Sequence, residues 1–291
     1  MQGLLPYIIN GISAGGQYAL IAIGYTLVYG ILRLINFAHG DVFMVAGLIM
    51  VYASASMPMY IALPLVIVAT ALLGFLIERA AYKPLRTAPR MSLMISAIGV
   101  SYLIQNLAFY ITGGQPQPVT NPIPWISDTI SVLGASTKRV TLVTPVLTIG
   151  LVLLLVWLTK KTKVGLAMRA ASKDFETAQL MGVKINSVIS FTFVIGSALA
   201  AVGAMLYFTN YPNVAIGSGS MPGLKAFVAA VFGGIGSIPG AVVGAFIIGL
   251  CEELIKAIQP TFSDAFTFVI LIVVLCVKPT GLFGEKVTDK V

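Results

Sequence analysis

Residues 42–77 read VFMVAGLIMVYASASMPMYIALPLVIVATALLGFLI, and no Asp, Glu, Lys or Arg interrupts them. A membrane helix needs roughly 20 apolar residues to cross a hydrocarbon core of about 30 Å. The run is too long for one crossing, and Pro58 and Pro64 interrupt it. It predicts two membrane helices, about 41–56 and 61–79, joined by a tight turn at Met57-Pro58. The rest of the 291-residue chain has the same character: 58% hydrophobic, 10% charged, mean hydropathy +0.96. An average soluble domain carries roughly 25% charged residues. This chain cannot cover a watery surface with polar side chains, whereas lipid can cover it. Its apolar content suffices for about eight crossings. No polar stretch approaches the size of an independent fold, which excludes a separate soluble catalytic domain and intrinsic disorder. The expected fold class is an all-α polytopic membrane protein, with residues 1–291 as a single transmembrane domain.

Working outward, the first apolar stretch runs from Pro6 to Leu32. No Lys or Arg precedes Arg33, so a cleavable leader is not expected. As straight helix the stretch would span about 40 Å. It should tilt or break, with the Gly15-Gly16 pair as the weak point. Met91 to Ile111, Val140 to Thr159 and Ser187 to Thr209 are further spans, and Ala265 to Val277 is the last. Residues 112–139 hold Pro116, Pro118, Pro122 and Pro124 and predict an irregular external loop. Between Gly223 and Ile258, the run around Gly233, Gly234, Gly236 and Pro239 predicts two short helices meeting at a broken, re-entrant or hairpin turn. Asn36, His39 and Gly40 form a second glycine-bearing turn, so an internal duplication is conceivable.

The net charge is +8. The cations sit in short loops and the tail, which fits the positive-inside rule and not nucleic-acid binding. Arg79, Lys83, Arg86 and Arg90 mark one cytoplasmic loop, and Lys160, Lys161, Lys163, Arg169, Lys173 and Lys184 mark another. Counting backwards puts the N-terminus outside and the Arg33–Asp41 loop inside. A cytoplasmic tail with Lys278, Lys286 and Lys290 demands an even number of passes between Pro212 and Pro260.

Several chemistries are missing. His39 is the only histidine, which excludes a multi-histidine metal site, and it reads most simply as a polar turn residue. Cys251 and Cys276 are too few for a disulfide or metal framework and read as lipid- or core-facing residues. The glycines near 233 are not followed by the Gly-Lys-Ser/Thr that a phosphate loop requires. Glu78, Glu252, Glu253 and Asp264 all fall near predicted helix ends, so no buried ion pair is expected within a span and ion coupling is disfavoured. Uphill transport would need energy from another polypeptide.

The cytoplasmic segment 160–186 is where such energy could enter. Ser172 can cap a short helix, with Asp174 and Glu176 in its first turn and Gly182 ending it. Phe175, Ala178, Leu180 and Met181 are available for contact, with a partner or with the lipid surface. Glu176-Thr177-Ala178-Gln179-Leu180-Met181-Gly182 resembles the Glu-Ala-Ala-x-x-x-Gly loop of bacterial ABC importer permeases, although Thr177 stands at the second position. Residues 18–30, Ile35 to Asp41, Ile95 to Gly99, Thr192 to Gly196, Lys225 to Phe227, Gly233 to Ala241 and Lys278 to Gly284 resemble the branched-chain amino acid permeases of the LivH type, in that family's order and spacing.

The resemblance implies a type II-like permease subunit of a bacterial inner-membrane importer for leucine, isoleucine and valine. It implies a second, LivM-like permease chain as partner in a heterodimer, two ATPase subunits and an extracytoplasmic solute-binding protein. ATP and Mg would sit on the ATPases, and no cofactor is expected on this chain. It implies that Arg169, Ala171, Ser172, Asp174, Phe175, Glu176, Ala178, Leu180, Met181 and Gly182 form the coupling helix and its ATPase contact. Neutral polar residues suit a weakly binding path, and Asn10, Ser13, Gln17, Ser96, Ser101, Gln105 and Asn106 are candidates. Each could equally serve as an interhelical hydrogen bond. A permease for urea, short amides or another amino acid, an uncoupled channel or carrier, and a membrane scaffold stay open.

Overall fold

The computed structural model describes residues 3–284 except 87, 121–122 and 133–134. Pro122, Lys286 and Lys290 lie outside the described residues. In chain order the helices are α1 (Leu5–Leu32), α2 (His39–Ser56), α3 (Met59–Ile77), α4 (Arg90–Thr112), the short α5 (Pro124–Ser127), α6 (Arg139–Lys161), α7 (Lys163–Lys173), α8 (Phe175–Leu180), α9 (Ile185–Asn210), α10 (Ser220–Gly233), α11 (Ile238–Ile258) and α12 (Ser263–Val277). Among the described residues, eight helical stretches are long and apolar enough to cross a membrane, and α10 falls short of that length. The α2–α3 turn falls at Met57 and Pro58, where the sequence places it.

The bundle is organised around α1, which is buried along most of its length and packs on α11, α9, α10 and α6. Gly15 and Gly16 do not break it; α1 is one continuous helix. Their work is close approach. A Cβ on Gly249 of α11 would lie 2.3 Å from the Gly15 nitrogen, and one on Gly15 would lie 2.7 Å from the Phe246 Cα. In lipid, helices gain nothing by hiding apolar surface from water, so dispersion contacts between closely apposed backbones hold them together. By contrast α3, α4, α6 and α12 bury only a minor share of their residues, as lipid-facing or partner-facing helices do.

Parts of 112–139 take regular structure that their prolines do not suggest. Strand β1 (Gln117–Pro118) pairs antiparallel with β4 (Asn213–Val214), and β2 (Thr129–Val132) pairs with β3 (Ala135–Lys138) as a hairpin. Lys138 Nζ donates to the Asn210 carbonyl at 2.6 Å. These contacts gather 112–138 and the end of α9 at one pole of the bundle. Residues 78–86 and the segment 162–186 gather at the other pole: Arg86 bonds Asn186 and Glu78, and Ser190 Oγ donates to Glu78 Oε2 at 2.6 Å.

The region 211–258 is half as expected. α10 is short, but α11 has 21 residues and crosses fully. α10 is preceded by non-helical residues 211–219 that descend along α2, where the Gly217 N–H meets Met44 Sδ. A Cβ on Gly219 would sit 1.8 Å from the Gly40 carbonyl oxygen, so two breaks in helical backbone meet inside the protein. Irregular backbone at this depth is tolerated only where protein or a water-filled cavity surrounds it. The glycine-bearing turn 36–40 therefore meets the start of α10 and not Gly233–Gly240. Gly234 and Gly236 both take positive φ in the α10–α11 turn, and Pro239 lies in the first turn of α11. The terminal segment then closes α10: the N–H groups of Leu282 and Phe283 each donate at 2.9 Å, to the Phe232 and Gly233 carbonyls. Those are carbonyls a helix end leaves orphaned.

Replacing Gly249 with Val should destabilise the bundle by about 1–3 kcal/mol or more, because only backbone lies in the way. Heat denaturation of purified protein in detergent should show a lower midpoint for Gly249→Val. Gly150→Val is the control: no atom lies within 4 Å of its Cβ position. Equal midpoints for the two variants would refute the close approach.

Candidate functional site

Three polar features interrupt the apolar bundle. The first is the projecting segment at the basic pole. Thr162 caps α7, its Oγ1 accepting from the Gly165 N–H at 3.1 Å, and Arg169 anchors α7 by donating to the Thr159 carbonyl at 2.7 Å. The single helix expected from Ser172 is in fact two. Ser172 lies in the last turn of α7, where its Oγ donates to the Arg169 carbonyl at 2.9 Å. Asp174 is the cap, accepting from the N–H groups of Glu176 at 2.9 Å and Thr177 at 3.3 Å. Its extended backbone, φ −158°, separates α7 from α8 and frees a carboxylate to reach ahead, which a residue inside α7 cannot do.

α8 ends as cleanly as it begins. Gly182 takes φ +84°, the Val183 N–H donates to the Ala178 carbonyl at 3.0 Å, and the Gly182 N–H to Gln179 at 2.9 Å. This left-handed termination satisfies the last carbonyls and is easiest for glycine. Ala178 and Ala171 are buried, while Leu180 and Met181 are 87% and 81% exposed. Phe175 and Glu176 are exposed too. Beside α8 opens a groove of about 1160 Å³ that Arg33, Arg86, Lys173 and Phe175 help to line.

The second feature is a smaller cavity of about 350 Å³ between α2, α4 and α10. Ser101 and Gln105 line it with Asp41, a residue expected in a connecting loop. The structure instead starts α2 at His39 and buries Asp41 in its first turn. His39, expected at a connecting turn, is the first residue of α2 instead: it is buried against Gly24 and edge-on to Tyr25, with ring centroids 4.9 Å apart. Asn36 holds this arrangement, its Oδ1 accepting from Tyr82 Oη at 2.9 Å and from the Ala38 N–H at 3.2 Å. The other path candidates lie elsewhere. Ser13 and Gln17 are buried along α1, Asn10 is half-buried near its start, Ser96 donates to the Ala81 carbonyl at 3.2 Å, and Asn106 turns back onto the Tyr102 carbonyl at 2.7 Å.

The third feature overturns an expectation. A buried ion-pair network does exist. Lys225 of α10 meets Glu252 of α11 at 2.8 Å and Asp264 of α12 at 2.7 Å, and Lys256 meets Glu252 at 2.7 Å and Glu253 at 2.6 Å. Tyr18 Oη of α1 adds a donor to Glu252 at 2.8 Å. The acids do sit near helix ends, but the partner Lys225 comes from a separate, broken helix that local sequence cannot position. The most buried acid of the network, Glu252, is met by Lys225, Lys256 and Tyr18, and each lysine meets two acids, as a low-dielectric setting demands.

A predominantly helical membrane chain with a short helix preceded by irregular backbone, a small polar cavity between helices and a doubly capped helix projecting at one pole has the make-up of a transport permease. The comparisons agree. Residues 7–275 match the family described as branched-chain amino acid transport system / permease component, and the chain belongs to that family. It is 37% identical to the high-affinity branched-chain amino acid transport system permease protein BraD of Pseudomonas aeruginosa, over 99% of this chain and 98% of that one. It is 39% identical to the corresponding LivH protein of Salmonella typhimurium, over 99% and 97% of the two chains. A probable LivH of Methanocaldococcus jannaschii is 29% identical over 91% of this chain and 88% of that one. No solved structure matches the chain.

The hydrogen bond from the Thr177 hydroxyl, reinforced by the backbone donors, holds the Asp174 carboxyl below the usual carboxylate range. A folded-state value below the unfolded one makes the cap's contribution full above the ordinary Asp range and lost as pH falls through the depressed value. Asp174→Ala should speed hydrogen exchange at the Glu176 and Thr177 amides at neutral pH, whereas Asp174→Asn should largely preserve protection. Wild type should lose the same protection only in acid. Unchanged exchange in Asp174→Ala would remove the capping role.

Proposed function

We propose that the chain is one membrane subunit of an ATP-driven importer of leucine, isoleucine and valine. A second, LivM-like permease chain completes the membrane part. Two ATPase subunits carrying ATP and Mg bind at the basic pole, and a solute-binding protein docks at the opposite pole, beside 112–138. In this reading the protein lies in a bacterial cytoplasmic membrane with its N-terminus outside and residues 278–284 inside. Closure of the ATPase dimer pushes α7–α8, and the push tilts the membrane helices between outward-open and inward-open states.

The observation that carries the proposal is α8 itself. A six-residue helix is too short to be stable alone. Here it is capped at both ends, seated by buried Ala178 and left with Leu180 and Met181 in solvent. Exposed apolar residues on a rigid projection suit a partner surface. The names of the relatives supply the substrate class.

The test is leucine uptake into proteoliposomes holding the full complex, with the binding protein outside and ATP on the ATPase side. Wild type should accumulate leucine only with hydrolysable ATP; accumulation without the ATPases would overturn the proposal. Gly182→Val forces a branched side chain into the left-handed region, at a cost of roughly 1–2 kcal/mol or more. Ala178→Phe unseats α8. Both variants should insert normally yet lose uptake about tenfold or more, and undiminished uptake in both would show that α8 is not the lever.

A further inference from the structure

α2 begins inside the bundle, and this puts an acid where no cation meets it. Asp41 is 3% exposed. Its carboxylate accepts from Ser101 Oγ at 2.5 Å and Gln105 Nε2 at 2.9 Å, both on α4. Among the described residues no Lys or Arg pairs with it, whereas the other buried acids all have a partner: Arg86 for Glu78, Lys225 and Lys256 for Glu252, and Lys256 for Glu253. A buried carboxylate without a counter-charge is costly, and within a membrane helix it usually marks a functional site. The N-terminus of α2 and the two neutral donors offset part of that cost. What remains is a demand for positive charge from outside the chain.

The space beside Asp41 says what could bring it. The 350 Å³ cavity is at the small end of ligand pockets, roughly 300–1,000 Å³. Apart from Asp41, Ser101 and Gln105 its wall is largely apolar or aromatic, with Phe37, Ile98, Tyr102, Leu224 and Phe227, and it holds neither Lys nor Arg. Such a wall suits an ammonium joined to a short aliphatic chain and offers no cation to a carboxylate.

We infer that Asp41 is the transient receptor for the ammonium group of an aliphatic α-amino acid in transit, whose side chain rests on Ile98, Leu224 and Phe227. The inference rests on the importer reading and names the site within it. One ionic contact, with no matching cation for the substrate carboxylate, keeps binding weak enough for release. Ser101 and Gln105 act as positioning residues that hold the Asp41 oxygens toward the cavity.

The probe is tritiated 3-methylbutylamine, which has the ammonium and branched chain of leucine but no carboxylate. The full complex in nanodiscs, without the binding protein, should retain it saturably, and unlabelled 4-methylpentanoate should not displace it. Asp41→Asn should lower retention at least about tenfold. Ile98→Trp fills the cavity from an exposed position of α4, leaves Asp41 in place and should do the same; it decides the matter if Asp41→Asn fails to assemble. No saturable retention by wild type, equal retention by the variants, or displacement by the carboxylate would each overturn the inference. The importer reading fails separately, if wild type takes up no leucine with ATP and binding protein present. Normal leucine uptake by Asp41→Asn would sink the Asp41 site alone.

Discussion

The close passage of α1 against α11 is the contact on which the rest of the structure depends. Helices in lipid are held by contact and not by exclusion from water, so the distance between their backbones decides how much attraction they share. Gly11, Gly15 and Gly249 bring the two backbones together. With α1 seated centrally, α9, α10 and α6 pack around it, and the more weakly buried α3, α4 and α12 form the outer wall. A side chain at Gly249 would move α11, and with it Glu252 and the ionic network that ties α10 to α11 and α12.

A second constraint follows from the need to satisfy every backbone polar group at membrane depth. The start of α2 and the non-helical backbone before α10 lie within the bundle and touch through Gly40 and Gly219. Asn36 satisfies one of them from its side chain, and residues 281–284 cap the far end of α10. Because the helices start inside, side chains in their first turns become interior groups. Asp41 is polar and buried for this reason, Lys225 follows in the second turn of α10, and the small cavity lies between the starts of α2 and α10 and the face of α4. The proposed solute site is thus a by-product of where two helices begin.

The basic pole follows a different logic. There the chain meets water, and local hydrogen bonds do the shaping: Thr162 starts α7, Asp174 starts α8, and Gly182 stops it. These are short-range interactions, and the structure shifts the cap by only two residues from Ser172 to Asp174. Among the described residues, Leu180 and Met181 are two of the most exposed apolar side chains of this pole.

Charge-free length and proline placement determined the crossings by themselves, because lipid thickness and missing water leave a chain few options. The Met57-Pro58 turn, the spans at α4, α6 and α9 and the helix ending at Gly182 were all legible for that reason. So was family membership, carried by ordered segments such as 18–41 and 278–284. What local pattern does not encode is which helix lies beside which. The role of Gly15 depends on Gly249, more than 200 residues away, so a pair that reads as a weak point is a contact. Lys225 and Glu252 become an ion pair only when α10 and α11 fold back on each other. Asp41 reads as a loop acid until α4 brings Ser101 and Gln105 to it. Tertiary structure decided these because burial and pairing are properties of distance in space, and distance along the chain does not set them.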